Sequence, residues 1–262
     1  MVKIGAVGDN CIDMYDYIEE LYVGGNPVNV AVYIKRLGGE ACYAGVVGND
    51  DYGKLIKEKI SEKGVDVTMV KTMDGMTAIS HIELIAKERV FGEYEEGVLP
   101  LLTLTDEELK RLAQCDIVVS SVWSYAENYY QRLKELGTMT AMDFSTELQS
   151  DIIDIIGPYL DYAFFSFEEG RDEELKEFMM DIYRRIKGIV IVTRGEEGSV
   201  AYDGKEFIYH GISPCEVVDT LGAGDSFIAG FLYGMAEGLS IKDSMIKGAK
   251  NSSVTIGYKG AW

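Results

Sequence analysis

The 262 residues are 47% hydrophobic with only four prolines, enough for one sizeable core and short for two independent ones. Acidic side chains number 44 against 25 basic ones, and the formal charge of −19 repels nucleic acid and anionic lipid, leaving most of the surplus to a solvated surface. No run of about 18 apolar residues is present to span a membrane, no basic segment precedes a cleavable apolar stretch, and Cys11, Cys42, Cys115 and Cys215 are too scattered for a zinc or redox pair, so a cytoplasmic chain with free thiols is expected.

Along the chain, short β-branched runs at 2–7, 41–46, 117–119, 139–142, 162–165 and 189–192 are predicted as buried strands. Helical patterns fall between and after them, over 28–37, 52–62, 106–113, 125–136, 168–186, 227–237 and 241–256. Strands interleaved with helices of this length imply βαβ crossovers and a mostly parallel sheet covered on both faces. Two stretches break the rhythm. Residues 13–23 form a tyrosine-rich strand-turn-strand candidate, and 77–94 alternates before a polar Ala86-Lys87-Glu88 turn and a second strand. Antiparallel ribbons inserted into a parallel α/β chain predict a small sheet standing off the main body. A lid over a site and an ordinary edge hairpin are equal readings of that pattern.

The sharpest motif is Asp219-Thr220-Leu221-Gly222-Ala223-Gly224-Asp225-Ser226-Phe227 at the head of a helix. Small residues there let successive backbone N–H groups converge on an anion, reinforced by the helix dipole. It is not a dinucleotide fingerprint, because Phe227 stands where the third glycine belongs, and it lacks the Gly-Lys-Ser/Thr ending of a P-loop. A carboxylate beside a transferred phosphoryl group repels it unless it takes a proton from the attacking hydroxyl, so Asp225 reads either as a general base or as a plain helix cap.

The run 219–230 matches the C-terminal signature of ribokinase-like, pfkB-type carbohydrate kinases. The second signature of that family is matched by Gly24-Gly25-Asn26-Pro27-Val28-Asn29-Val30-Ala31 with Gly38 and Gly48 at the required spacings. The chain therefore resembles this family over its whole length. The resemblance implies an α/β fold, a three-layer α/β/α Rossmann-like sandwich in a single domain, 1–262, with a small β-sheet lid formed by segments near 13–23 and 77–98. It implies ATP and Mg²⁺, leaves a supporting monovalent cation open, and suggests a homodimer clasped through the lids.

Residue by residue, the resemblance makes Asp225 the base and Gly222, Ala223 and Gly224 the anion hole. Thr193 and Gly195, in the turn after the strand at 189–192, would lie along the nucleotide, with Asn251 lining the adenine pocket. A structural turn and a polar residue on a solvated helix face are the alternatives. Ser166-Phe167-Glu168-Glu169 stands where the family has Asn-x-x-Glu, so Glu169 would act through water on Mg²⁺ while Ser166 departs from the pattern. Asp13 corresponds to the sugar-binding aspartate, with Asp9, Gly25 and Asn29 beside it; Asn29 as a helix cap and Gly25 as a turn are the alternatives. Polyol recognition needs such carboxylates and amides, because each desolvated hydroxyl requires a partner.

Within the family, segments 8–15, 89–98 and 260–262 look most like members that phosphorylate fructosamines, sugars joined to an amino group. A cationic amine suits Asp9, Asp13 or Glu93, and Arg89 could meet a carboxylate or the phosphoryl group, or be an exposed strand residue. His81 and Glu83 are expected on one face of their strand, toward a ligand or toward water. The expected function is ATP-dependent phosphorylation of a sugar hydroxyl. The alternatives are a kinase for another sugar or a nucleoside, and a non-catalytic sensor, which has no need of Asp225.

Overall fold

The computed structural model describes the backbone of residues 1–15, 20–85, 88–167 and 170–262, and the side chains of these apart from 83–91. In chain order the first half holds β1 (Lys3–Gly8), β2 (Cys11–Tyr15), β3 (Glu20–Gly24), α1 (Asn26–Arg36), β4 (Glu40–Gly48), α2 (Asp51–Glu62), β5 (Asp66–Met73), β6 (Ile79–Ile85), β7 (Glu88–Glu95), α3 (Asp106–Leu112), β8 (Ile117–Ser121) and α4 (Tyr130–Glu135). The second holds β9 (Met139–Asp143), α5 (Ile152–Ile156), β10 (Tyr162–Ser166), α6 (Asp172–Ile186), β11 (Ile189–Thr193), β12 (Ser199–Tyr202), β13 (Phe207–His210), α7 (Ala223–Ala236) and α8 (Ile241–Thr255).

Nine strands form one sheet in the order β13-β12-β11-β10-β9-β8-β1-β4-β5. From β11 to β5 every neighbouring pair is parallel, and β12 and β13 close one edge as an antiparallel ribbon. The period-2 alternation of each strand divides its side chains between two cores. Ile4, Ala6, Ile117, Val119, Phe164 and Ile191 face one core with Val28, Ile56, Phe231 and Met245, so α1, α2, α7 and α8 cover that face. Val7, Val118, Phe165 and Val192 face the other with Leu112, Leu133, Ile153 and Leu175, so α3 to α6 cover it. The result is the expected three-layer α/β/α sandwich.

A second sheet has the order β3-β2-β6-β7. It arises from two interruptions, β2 and β3 inserted between β1 and α1, and β6 and β7 between β5 and α3. Because β1 leads directly into β2 and β3 directly into α1, this sheet stands at the carboxyl ends of the large sheet's strands, where open α/β sheets bind ligands. The middle pair β2 and β6 is parallel, so the two ribbons read from the sequence join into one sheet instead of standing as separate hairpins.

Some elements differ from the sequence expectation. β5, β12, β13 and α5 were not among the predicted elements. The β5 sequence DVTMVKTM mixes charges with its apolar residues because the strand lies at the sheet's edge. The helix expected from 227 begins at Ala223, because Gly222 takes a left-handed conformation (φ 73°) that starts it four residues earlier. The helix expected over 125–136 is a 3₁₀ turn, Glu127–Tyr129, followed by the short α4. All four cysteines are free thiols.

Helix α7 carries the glycine-rich motif, so its seating on the sheet matters for the site. Phe231, fully buried, meets Tyr162 and Phe164 edge-on with ring centroids 6.0 and 5.5 Å away. Phe231→Ala should lower the unfolding free energy by about 3–5 kcal/mol in urea denaturation; a loss below about 1 kcal/mol would show that this ring does not anchor the helix.

Candidate active site

Helix α1 begins where β3 ends, and its first turn presents two asparagines three residues apart, on one helical face. Both side-chain amides donate to the same carboxylate, Asn26 Nδ2 to Asp225 Oδ1 at 2.6 Å and Asn29 Nδ2 to Asp225 Oδ2 at 2.7 Å. Asn26 Nδ2 also donates to Asp143 Oδ2 at 2.6 Å, joining the end of β9 to the head of α7. The N-cap of α7 is Gly222, not Asp225, and the Asp225 carboxylate is held from α1, so the helix-cap reading of Asp225 is set aside.

Close backbone approach explains the glycines at both ends of this junction. Gly25 has φ 106°, and a Cβ there would lie 2.6 Å from the Asn10 Cα and 2.7 Å from the Asp9 carbonyl oxygen. A Cβ on Gly222 would lie 2.4 Å from the Tyr33 hydroxyl, whereas one on Gly224 would meet open space. The first turn of α7 thus has room beside Gly224 for an anion facing its free N–H groups.

Asp9 serves this junction from below. Its Oδ2 accepts the backbone N–H of Asn26 at 3.0 Å, and its Oδ1 accepts the hydroxyls of Ser124 at 2.7 Å and Ser121. With only 6% of its surface exposed, Asp9 ties β8 and the β1–β2 connection to the positive end of α1. Asp13, on β2, accepts the Cys11 thiol at 3.4 Å and packs against Gly24.

Burial makes these carboxylates unusual. It pushes Asp13 up to about 6, Asp9 adding to the rise and the Cys11 hydrogen bond opposing it. Asp143 is likewise pushed up to about 6 by burial, with Asp9 raising it further and the Ser145 and Asn26 hydrogen bonds holding it down. Asp225 is raised well above the carboxylate range by burial, then by Asp143, Asp9 and Asp13, with Asn29 pulling the other way. Asp9 is raised too, by burial against its hydroxyl and amide donors. A group whose affinity for a proton is raised this way is suited to accept one.

Asp143 was missed in the sequence, where it closes an ordinary apolar strand. One local signal accompanies it: Ser145, two residues on, adopts φ 49° and donates its backbone N–H to Asp143 Oδ1 at 2.9 Å, so the chain bends to hold that carboxylate. Ser166 and Thr193, at the ends of β10 and β11, are register partners whose hydroxyls lie 3.1 Å apart. Gly195 follows with φ 52° and open space at its Cβ. Strand order therefore sets Asp143, Ser166 and Thr193 successively along one edge of the sheet.

Other expected residues lie elsewhere. Asn251 is buried, donating its Nδ2 to the Ser226 carbonyl at 2.7 Å and accepting Arg36 at 2.8 Å, so both ends of its amide tie α8 to α7 and α1. Glu169 lies outside the described residues, as does the side chain of Arg89, placed on β7 opposite Leu84, and that of Glu83. His81 lies 3.4 Å from Glu95. Among the described residues no three His, Cys, Asp or Glu side chains are grouped to hold a metal, and no helix is long and apolar enough to cross a membrane.

Compared with known proteins, residues 18–262 match the pfkB family of carbohydrate kinases. The chain belongs to that family. It is an ATP-dependent carbohydrate kinase, and this pfkB member is 43% identical over its whole length to the whole of a fructoselysine 6-kinase from Shigella flexneri and 42% identical to that of Escherichia coli. A fructosamine kinase of Bacillus subtilis is 32% identical, over all of this chain and 93% of that one. Among solved structures, a ribokinase from Thermotoga maritima superposes with a TM-score of 0.82 at 20% identity, covering 100% of this chain and 95% of that one. An Arabidopsis thaliana ribokinase, solved with ribose and ATP, gives 0.84 at 21%, covering 99% and 93%, and these two establish the ribokinase-like fold.

The raised affinity of Asp143 for a proton has a consequence for this kinase's stability. The folded chain favours its neutral form, so a folding penalty for ionisation is absent below about pH 4 and grows until about pH 6, reaching about 3 kcal/mol. Asp143→Asn removes it. The unfolding free energy of Asp143→Asn relative to the parent should rise by about 2–3 kcal/mol between pH 4 and pH 7 in denaturant titrations without substrate; a difference independent of pH would contradict the account.

Proposed function

We propose that this kinase transfers the γ-phosphoryl group of ATP to the 6-hydroxyl of a fructosamine, fructoselysine or a close relative. The observation that carries the reading is the Asp225 carboxylate, fixed by two amide donors at the head of α7 beside the left-handed Gly222. Asp225 takes the proton of the acceptor hydroxyl as its oxygen attacks phosphorus, and ADP departs as the leaving group. The backbone N–H groups of Gly222 and Gly224 stabilise the charge spread over the transferred group, while Ala223, expected to join them, gives its N–H to the Thr220 carbonyl at 3.1 Å. Thr193 and Gly195 lie along the nucleotide, at the strand ends farther from Asp225.

Mg²⁺ would be held mainly by phosphate oxygens and water, with Glu169 as the expected carboxylate. Bound there, it would neutralise charge on the phosphates.

Acceptor specificity follows from charge. Asp13 and Asp143 border the base and each repels its ionised form, and a cationic secondary amine nearby would relieve that repulsion. The full-length identity to two fructoselysine 6-kinases supports the same acceptor. The four-stranded sheet acts as a lid over this end of the large sheet, Arg89 is its candidate contact to a carboxylate or phosphoryl group, and two such lids pair in a homodimer. A metabolic kinase of this kind works in the cytoplasm, where ATP is supplied.

The test is ATP consumption with Mg²⁺ across fructoselysine, other fructosamines, fructose, ribose and a nucleoside. Fructoselysine should be preferred over fructose by at least about tenfold in kcat/KM, with phosphate on the 6-hydroxyl by NMR. Equal turnover of fructose, or preference for the nucleoside, would contradict the acceptor assignment.

A further inference from the structure

The chain after α8 turns back over the catalytic junction. Asp219 anchors it, accepting the Leu221 N–H at 2.7 Å through Oδ1 and the Gly260 N–H at 2.9 Å through Oδ2. The carbonyl of buried Ala261 accepts the hydroxyls of Tyr258, at 3.0 Å, and of Tyr33. Lys259 pairs with Glu20 of β3 at 2.5 Å, so the same segment touches the four-stranded sheet. These contacts place the indole of Trp262 against α1, where Nε1–H donates to Asn29 Oδ1 at 2.7 Å, with the Lys63 ammonium 5.3 Å from the ring centre.

The two ends of the Asn29 amide are therefore both engaged, Oδ1 by the indole and Nδ2 by Asp225. An indole N–H only donates and an amide oxygen only accepts. Turning the amide over would set two N–H groups face to face at Trp262 and put Oδ1 against Asp225, where it could bond only the protonated acid. We infer that Trp262 is a positioning residue for the reaction, its indole locking the Asn29 amide so that an N–H always faces Asp225 and favours the ionised, proton-accepting carboxylate. The inference rests on the reading of Asp225 as the base.

The surroundings of Asp225 give that one N–H leverage. Asp143 from β9, Asp9 from the β1–β2 connection and Asp13 from β2 all bear on it as acids, and the carboxylate in turn raises Cys11 of β2 and Tyr33 of α1. Against them stand the amides of Asn26 and Asn29. Losing one fixed donor raises the proton affinity of Asp225, and since the base works only when ionised, activity is then lost from the acid side first.

The experiment is the pH dependence of kcat/KM for the full chain with ATP, Mg²⁺ and the preferred acceptor, comparing the parent with Trp262→Phe, which keeps an apolar ring but removes the N–H. The acid limb should move up by about 1 pH unit, with activity within about twofold of the parent on the alkaline plateau. In Asn29→Ala, adding Trp262→Phe should move the limb no further, because the effect passes through Asn29. An unmoved limb, a loss by the same factor at every pH, or additive effects in the double variant would overturn the inference. Asp225→Asn separates the two readings: near-parental turnover there removes the base assignment itself, whereas an inactive Asp225→Asn with an unmoved limb in Trp262→Phe removes only the positioning role.

Discussion

Asn26 and Asn29 reach from the first turn of α1 to one buried carboxylate, and the rest of the site depends on that reach. Buried acids repel one another and lose their hydration, so Asp9, Asp13, Asp143 and Asp225 are kept together by amides, hydroxyls, the Cys11 thiol and two backbone N–H groups. The donors come from a helix whose residues Pro27 to Ile34 are all buried, which makes the head of α1 a rigid support. Rigid placement of donors is what a transferring phosphoryl group requires, since the protein contributes mainly position and charge.

The topology explains why so many segments meet there. Strand β1 leaves the large sheet into β2, and β3 returns the chain to α1, so the acid-bearing connection and the asparagine-bearing helix are held close by a short ribbon. Helix α7, arriving from the other end of the sequence, packs beside α1 and delivers Gly222 and Asp225 to the same place. The tail after α8 closes the arrangement from above.

Much of this could be read from the residues. The alternation of apolar strands and amphipathic helices gave the layered sheet, and the glycine-rich run at 219–227 marked its helix start within four residues. The interrupted rhythm at 13–23 and 77–94 marked the second sheet, although its parallel β2–β6 junction follows from a pairing between residues 67 positions apart, which no local pattern encodes. Asp143 escaped notice because a carboxylate closing an apolar strand looks like any solvated strand end; only folding brings Asn26 to it. Asp9 and Asn251 have the polar chemistry of ligand contacts, but burial and hydrogen bonds inside the protein occupy both. Trp262 closes the 260–262 segment that resembles the fructosamine kinases, but that likeness gives it no role, and its bond to Asn29 joins residues 233 positions apart.

The most direct measurement is the turnover of Asp225→Asn beside its affinity for ATP. An amide of the same shape cannot take a proton, and its NH2 end meets one of the two asparagine donors that the carboxylate accepts, so turnover should fall by a factor on the order of 10² or more, while ATP affinity, kept, shows the site still folded. Near-parental turnover in that variant would contradict the central claim that the carboxylate held by α1 is the base.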